Sequence, residues 1–228
     1  MNRKTMGRRP LALGMLAAAL LPGLARAAIS QADAAAGVKL AMERGANAVV
    51  DLLGRNDGFL GNPKVRIPLP GVLDDAAKLL KMTGQQERVD ELVTAMNRAA
   101  EAAVPEARSL LVSASKSMTV EDALPIVRGG ETSVTDYFAR KTREPLTAKF
   151  LPIVARETKK VSLADKYDAV AGKAAGFGLL KKEDANLNGY VTGKALDGLF
   201  LVIGEEEKKL RKDPLGTAGD LLKKVFGA

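Results

Sequence analysis

The segment at residues 57–70, DGFLGNPKVRIPLP, is the one stretch of this chain that cannot form a helix. Its three prolines each lack a backbone N–H and fix φ, and its two glycines loosen the residues before them. Three aliphatic residues, spaced two apart from Val65 to Leu69, alternate with Lys64 and Arg66. In an extended chain such alternation puts the aliphatic side chains on one face and the basic ones on the other. We therefore predict an extended strap at 57–70 that lies across the rest of the fold.

Helical patterns lie on both sides of the strap, and no other stretch alternates as a strand would. Apolar residues recur at helical spacing over 32–53, 73–81, 85–103, 106–118, a stretch from Thr119, 134–141, a stretch from Thr142, 163–175, 190–211 and a short stretch at 221–226. The sequence therefore predicts an all-α fold, a single compact bundle of about eight to ten helices with one extended proline-rich strap.

Several residues are expected to start or bend these helices. Thr119, with Asp122 three residues later, has the form of a capping box. Pro152 is expected to kink the helix in which it lies. Further N-caps are predicted at Thr132 or Ser133 and at Thr142.

The N-terminus has the pattern of an export signal. A basic stretch ends at Arg9, and an uncharged apolar run of 14 residues, 11–24, follows it. Such a run is too short to cross a bilayer, which takes about 20 residues. Ala25 and Ala27 supply the small residues of a cleavage site, so we predict that 1–27 is a cleaved signal peptide, that 28–228 is a single helical domain, and that the protein is periplasmic. We favour the general secretion route over the twin-arginine route, which Arg8-Arg9 also permits.

Composition excludes several function classes. The net charge is +8, but five of the 35 basic residues and no acid lie in 1–27, which leaves 30 bases against 27 acids. The basic character is thus concentrated in the signal, and with six Phe, three Tyr and no Trp it does not indicate a nucleic-acid interface. The chain has no Cys and no His, so disulfides, the usual catalytic triads and zinc sites are excluded.

One motif resembles the start of a calcium-binding EF-hand loop. Asp184, Asn186 and Asn188 occupy its first three ligand positions and Gly189 follows. The twelfth position should be a bidentate Glu, but here it is Ala195. We therefore predict no metal and no cofactor, and interpret the segment as a polar turn whose Asn or Asp caps the long helix.

Five segments of the chain resemble a bacterial family, the domain of unknown function 4197. They are DGFLGNPKVRIPLP, MNRAAEAAVPEA at 96–107, the stretch containing T-D-Y-F at 129–138, YVTGKALDGLF at 190–200 and EEEKKLRKDP at 205–214. The resemblance implies an exported, helix-rich bacterial protein. It supplies no catalytic residues, because it implies no assigned function.

Two polar clusters are candidates for a binding site. Asn97, Arg98 and Glu101 interrupt an apolar helix face, and a second group follows the Gly129-Gly130 bend. Both can be structural, as Arg98–Glu101 and Asp136–Arg140 pairs. Alternatively, Arg66, Arg98 and Arg128 line a groove beneath or beside the strap and hold an anionic head group. The binding candidates are Lys64, Arg66, Asn97, Arg98, Glu101, Arg128, Asp136 and Tyr137.

For function, we favour a non-enzymatic periplasmic protein that binds an envelope component, namely a lipid, an anionic ligand or another periplasmic protein. A hydrolase that uses carboxylates or a pair such as Ser113 or Ser115 with Lys116 is one alternative, and a structural or assembly factor is another. We interpret residues 205–207, three successive glutamates, as a solvated helix face with a Glu205–Lys209 pair. We expect no catalytic residue, no nucleic-acid partner and no transmembrane segment in 28–228.

Overall fold

The computed structural model describes residues 31–71, 82, 84, 86–160 and 186–212. Its helices, numbered here in chain order, are α1 (Gln31–Leu53), α2 (Gln86–Ala103), α3 (Ala107–Lys116), α4 (Val120–Arg128), α5 (Ser133–Thr158) and α6 (Leu187–Lys212), with a 3₁₀ turn at Val104–Glu106. None of the residues in these ranges is in a β-strand, and the all-α class is confirmed.

The described residues form six α-helices, fewer than the eight to ten expected. One cause is α5, which was predicted as two helices and is one. The predicted helices at 73–81, 163–175 and 221–226, and the signal peptide at 1–27, lie outside the described residues.

Helix α5 continues through Pro145 and Pro152 because tertiary packing outweighs their local cost. Seven of its buried residues are spaced four apart, whereas one helical turn takes 3.6 residues. The buried stripe therefore winds around the helix by about 40° per step, and α5 packs against α2, α3 and α6. Both prolines are exposed. The stripe consists of Val134, Phe138, Thr142, Leu146, Phe150, Val154 and Thr158.

This packing also corrects the predicted cap at Thr142. The residue is buried in the middle of α5, and its hydroxyl donates a hydrogen bond of 2.7 Å to the carbonyl of Phe138, one turn earlier. A threonine that bonds back to its own helix in this way starts no new helix.

The capping box at the start of α4 is confirmed. The Thr119 hydroxyl accepts from the Asp122 N–H, and the Asp122 carboxylate accepts from the Thr119 N–H. The hydrogen bond from the Thr119 N–H to the Asp122 carboxylate, and then the one from the Thr119 hydroxyl, lower the pKa of Asp122.

Residues 54–71, which we call the linker, leave α1 and return along α2 and α6. The strap prediction was wrong for 57–65, where hydrogen bonds close turns, for example from the Gly61 N–H to the Asp57 carbonyl. Asn62 starts a further turn, accepting at its carbonyl from Val65 N–H at 3.1 Å, because Asn followed by Pro favours a turn. The predicted alternation is found only locally: Val65 and Ile67 are buried, while Lys64 and Arg66 are exposed.

Candidate functional site

The carboxylate of Glu101, on α2, holds the first turn of the linker. Glu101 is 4% exposed. Its Oε1 accepts hydrogen bonds from the backbone N–H groups of Phe59 and Leu60, each at 3.0 Å. Asp57 just before them has φ of 62°, a left-handed conformation that turns the chain sharply. The carboxylate satisfies donors that would otherwise be buried without an acceptor.

Arg98 completes this cluster. Its Nη1 lies 2.6 Å from Glu101 Oε2, and its Nη2 lies 2.9 Å from Asp57 Oδ1. The hydrogen bond to Glu101 is the main cause of a raised pKa at Arg98. The structural alternative for Arg98 and Glu101, an ion pair three residues apart on one helix, is thus confirmed.

Asn97 pairs with the linker as a neighbouring β-strand would. Its Oδ1 accepts from the Ile67 N–H at 2.8 Å, and its Nδ2 donates to the Ile67 carbonyl at 3.0 Å. A second Nδ2 hydrogen bond, to the Val93 carbonyl at 2.8 Å, fixes the amide on its own helix. Asn97 is fully buried, so this pairing fixes Ile67 in one position.

Helix α6 holds the other side of the linker. The Tyr190 hydroxyl donates to the Pro68 carbonyl at 3.2 Å, and Lys64 Nζ lies 2.7 Å from Glu205 Oε1. The Phe59 ring packs directly on Gly198, where a Cβ atom would lie 2.8 Å from the ring. Glycine at 198 therefore allows α6 and the linker to approach this closely.

The remaining candidates do not join this cluster. Arg66 and Arg128 are exposed, and the described structure gives neither side chain a hydrogen-bond or ion-pair partner. Asp136 is also exposed, and the expected Asp136–Arg140 pair is not among the ion pairs of the described residues. Tyr137 is buried, its hydroxyl donates to the Ala114 carbonyl, and burial raises its pKa. No described contact brings Arg66, Arg98 and Arg128 into one groove.

A second buried carboxylate, Glu207 on α6, was missed by the sequence analysis. Rather than facing solvent, it is 5% exposed. It accepts from the backbone N–H groups of Val134 and Thr135 at 2.9 and 3.0 Å. These are the second and third residues of α5, whose donors an N-cap normally satisfies. Thr132 holds the N-cap position without a side-chain capping bond, and Ser133 is the first residue of α5 with its hydroxyl donating to the Ile126 carbonyl. The predicted cap was therefore wrong, and Glu207 takes that role from another helix.

Arg211 lies one turn after Glu207 and extends the cluster. Its Nη2 donates to Glu207 Oε1 at 2.9 Å, to Ser133 Oγ at 2.6 Å and to the Ile126 carbonyl at 2.9 Å. The pair therefore joins the end of α4, the start of α5 and α6. The expected Glu205–Lys209 pair is replaced, since Glu205 pairs with Lys64 and Lys209 pairs with Glu206.

The asparagines of the EF-hand-like segment have structural partners. Asn186 Oδ1 accepts from the Gly189 N–H at 2.7 Å, which caps α6 as predicted. Asn188 Oδ1 accepts from the Thr158 hydroxyl. Asp184 lies outside the described residues, and the described ranges contain no group of three or more acidic side chains placed to hold a metal ion.

The proposed Ser–Lys pair has no contact in the described structure. Ser115 is buried and donates to the Val112 carbonyl at 2.8 Å, while Ser113 and Lys116 are exposed.

An apolar crevice of about 30 Å³ that opens to solvent lies between α1, α5 and α6. Met42, Phe138 and Ile203 are among its walls. The charged groups at its mouth already pair, Glu206 with Lys209 and Glu207 with Arg211. The crevice thus offers no free charge to orient a ligand, in contrast to the linker.

Comparison with known proteins gives a family but no function. A family model described as "Protein of unknown function (DUF4197)" matches residues 28–227. No curated protein and no solved structure matches the chain. Among the described residues, no helix is both long enough and apolar enough to cross a membrane.

Proposed function

The chain belongs to the DUF4197 family, and from that premise and the geometry of its linker we propose that it is a non-enzymatic exported binding protein. Its linker presents the exposed guanidinium of Arg66, which stands on a fixed backbone and recognises an anionic component of the cell envelope. The recognised group is a phosphate or a carboxylate, because arginine pairs with either through two parallel hydrogen bonds.

The observation that carries this proposal is the position of Arg66. Its backbone N–H donates to the Asn62 carbonyl at 2.9 Å, and Ile67 next to it is held by Asn97. Its guanidinium, by contrast, is exposed and has no partner within the described structure. When this arginine binds an anion its side chain loses freedom, but its backbone, which is already fixed, does not.

The linker is expected to use side chains rather than its backbone for this recognition. The N–H and carbonyl of Ile67 are taken by Asn97, and the Pro68 carbonyl accepts from Tyr190. Little of the backbone is left to pair with an added strand. Long segments without regular structure that are nevertheless fixed on a scaffold are frequently functional.

Export supports the choice of an envelope partner. The family match begins at residue 28, the first residue after the proposed signal peptide. We propose that the mature N-terminus is Ala28 and that the protein is periplasmic, exported by the general secretion route. N-terminal sequencing of protein from the periplasm should give Ala28, and a chain that starts at Met1 and stays with the membranes would contradict this location.

A photocrosslinker tests the binding role. Pro68 is exposed and lies two residues from Arg66, so in an extended chain a photoreactive residue at 68 lies on the same side as Arg66. In whole cells we expect a discrete adduct that Arg66→Glu removes and Arg140→Glu leaves unchanged. Arg140 is a matched control because it is also exposed and unpaired in the described structure. Arg66→Glu should not unfold the protein, since surface substitutions stay within about 0.5 kcal/mol. An adduct that persists in Arg66→Glu would overturn the proposal.

A further inference from the structure

Helix α5 carries a row of basic residues along one side. At 100° per residue, three exposed bases of α5 and the two that directly follow its last residue, Thr158, fall within a sector of about 100° that extends for about 28 Å. Pro145 and Pro152 lie in the same sector, and the three acids of α5 lie outside it. We call this set the basic stripe; its members are Lys141, Lys149, Arg156, Lys159 and Lys160.

Nearby carboxylates neutralise the stripe only in part. Lys149 lies 3.7 Å from Glu106, and Arg156 and Lys160 share Glu157, whose pKa is lowered mainly by the hydrogen bond from Lys160. Lys141 lies over the Tyr137 ring and near Asp122, whose pKa it helps to lower, while Lys159 has no carboxylate partner in the described structure. Five bases thus face three acids, an excess of two. Residues 28–228 as a whole have an excess of three, 30 bases over 27 acids.

The packing of α5 leaves the C-terminal part of this side open, whereas Phe138 and Thr142 are buried within the sector near Lys141. From Leu146 onward the buried stripe turns towards the opposite side of the helix, where α2 and α6 pack. The four lysines and one arginine are spread along the helix rather than gathered around one point. Such spaced charges suit a broad anionic surface better than a single bound anion.

We propose that the basic stripe docks the protein on an anionic phospholipid surface, with α5 parallel to the membrane plane. Lysines and arginines near such a surface are attracted by the negative potential of its headgroups. Residues of the stripe offer no aromatic rings for base stacking, which makes a nucleic acid a poorer fit. The attachment is electrostatic and is weakened by salt.

Vesicle cosedimentation tests this proposal on the protein purified from its host. The probes are vesicles of phosphatidylcholine alone and of phosphatidylcholine with about one-third phosphatidylglycerol, at low and high salt. We expect binding to the anionic vesicles only, and weaker binding at high salt. Binding to neutral vesicles of equal strength, or no binding to the anionic ones, would overturn the proposal.

Two double variants with the same change of net charge locate the surface. Lys141→Glu with Lys159→Glu should lower the affinity at least about tenfold, because each reversal replaces an attraction by a repulsion. Arg128→Glu with Arg140→Glu reverses two exposed bases off the stripe and should stay within about twofold. Circular dichroism checks that both variants are folded. Equal losses in the two variants would contradict a site on the stripe. The stripe and the linker share no residue, so this result is independent of the crosslink at 68.

Discussion

Glu101 and Glu207 perform the same chemistry in two different regions of the molecule. Each is a buried carboxylate that accepts two successive backbone N–H groups and pairs with an arginine on its own helix. Glu207 serves the start of α5, where the helix dipole also favours a negative charge. Glu101 serves a turn of the linker, where no dipole assists it. The arginine side chains differ as well, Arg211 being 17% exposed and Arg98 34% exposed.

The same kind of contact therefore stabilises the whole fold in one region and a single segment in the other. Glu207 and Arg211 connect three helices, so their loss disturbs the whole core. Glu101 connects α2 to a segment without regular structure, and its loss releases that segment first. Local and global opening are separate processes with separate free energies.

The largest effect is expected for Glu207→Ala. The substitution leaves Arg211 without its carboxylate and the start of α5 without its cap, which should cost about 3–5 kcal/mol of unfolding free energy. Denaturant melts measure it. Glu206→Ala is the control, since Glu206 makes a surface pair with Lys209 that is worth about 1 kcal/mol or less. Equal costs for the two variants would refute the capping role.

A smaller loss, about 2–4 kcal/mol, is expected for Glu101→Ala, because two backbone donors lose their acceptor. Limited trypsin digestion should then cut the linker at Arg55, Lys64 or Arg66 before the rest of the chain. The exposed Glu91 on the same helix provides the control variant, Glu91→Ala. Digestion that begins everywhere at once would show that the effect is global, as at Glu207.

Gly198→Ala tests the contact between the linker and α6. The added methyl group would lie 2.8 Å from the Phe59 ring, so we expect a cost of about 1–3 kcal/mol. Gly193 lies on the same helix, and a Cβ atom there would meet nothing within 4 Å. Gly193→Ala should therefore stabilise the protein, by up to about 1 kcal/mol. A thermal melt in which both substitutions stabilise would rule out close packing at 198.

The smallest effect is expected at the exposed cap of α4. Thr119→Ala should cost about 1 kcal/mol, the usual value for a lost N-cap. The pKa of Asp122 is lowered in the folded protein, so its contribution is present above its unfolded pKa, about 3.9, and is lost as pH falls through the lower folded value. The stability gap between wild type and Asp122→Ala should shrink below about pH 4. A gap that grows in acid would contradict this cap.

The sequence indicated part of this arrangement. Asn97 and Glu101 stood out because they interrupt the apolar face of α2, and the structure buries both. Glu207 gave the same signal, since it follows Ile203 by four residues and precedes Leu210 by three on the apolar stripe of α6. Because Glu205 and Glu206 come directly before Glu207, all three glutamates were interpreted as one solvated helix face. The partners of these side chains could not be predicted, because they are backbone groups distant in the chain.

Helix α5, which forms where two helices were expected, shows another limit of predicting structure from hydrophobic periodicity. Its buried residues repeat every four positions, so the apolar face rotates and no fixed stripe appears over 26 residues. A break was predicted at Thr142 and a kink at Pro152, because the sequence does not show which side of the helix is packed. The turn at Asn62-Pro63 could have been predicted from the sequence, because that dipeptide favours turns.

We infer that α2 holds the linker in one conformation through Glu101 and Asn97. Native-state hydrogen exchange of the Phe59 and Ile67 amides tests it most directly, because these N–H groups donate to the two side chains. We predict protection close to that of the buried Met96 amide in α2, and loss of protection at Ile67 alone in Asn97→Ala. Exchange of both amides at the rate of an unfolded peptide in the wild-type protein would contradict it.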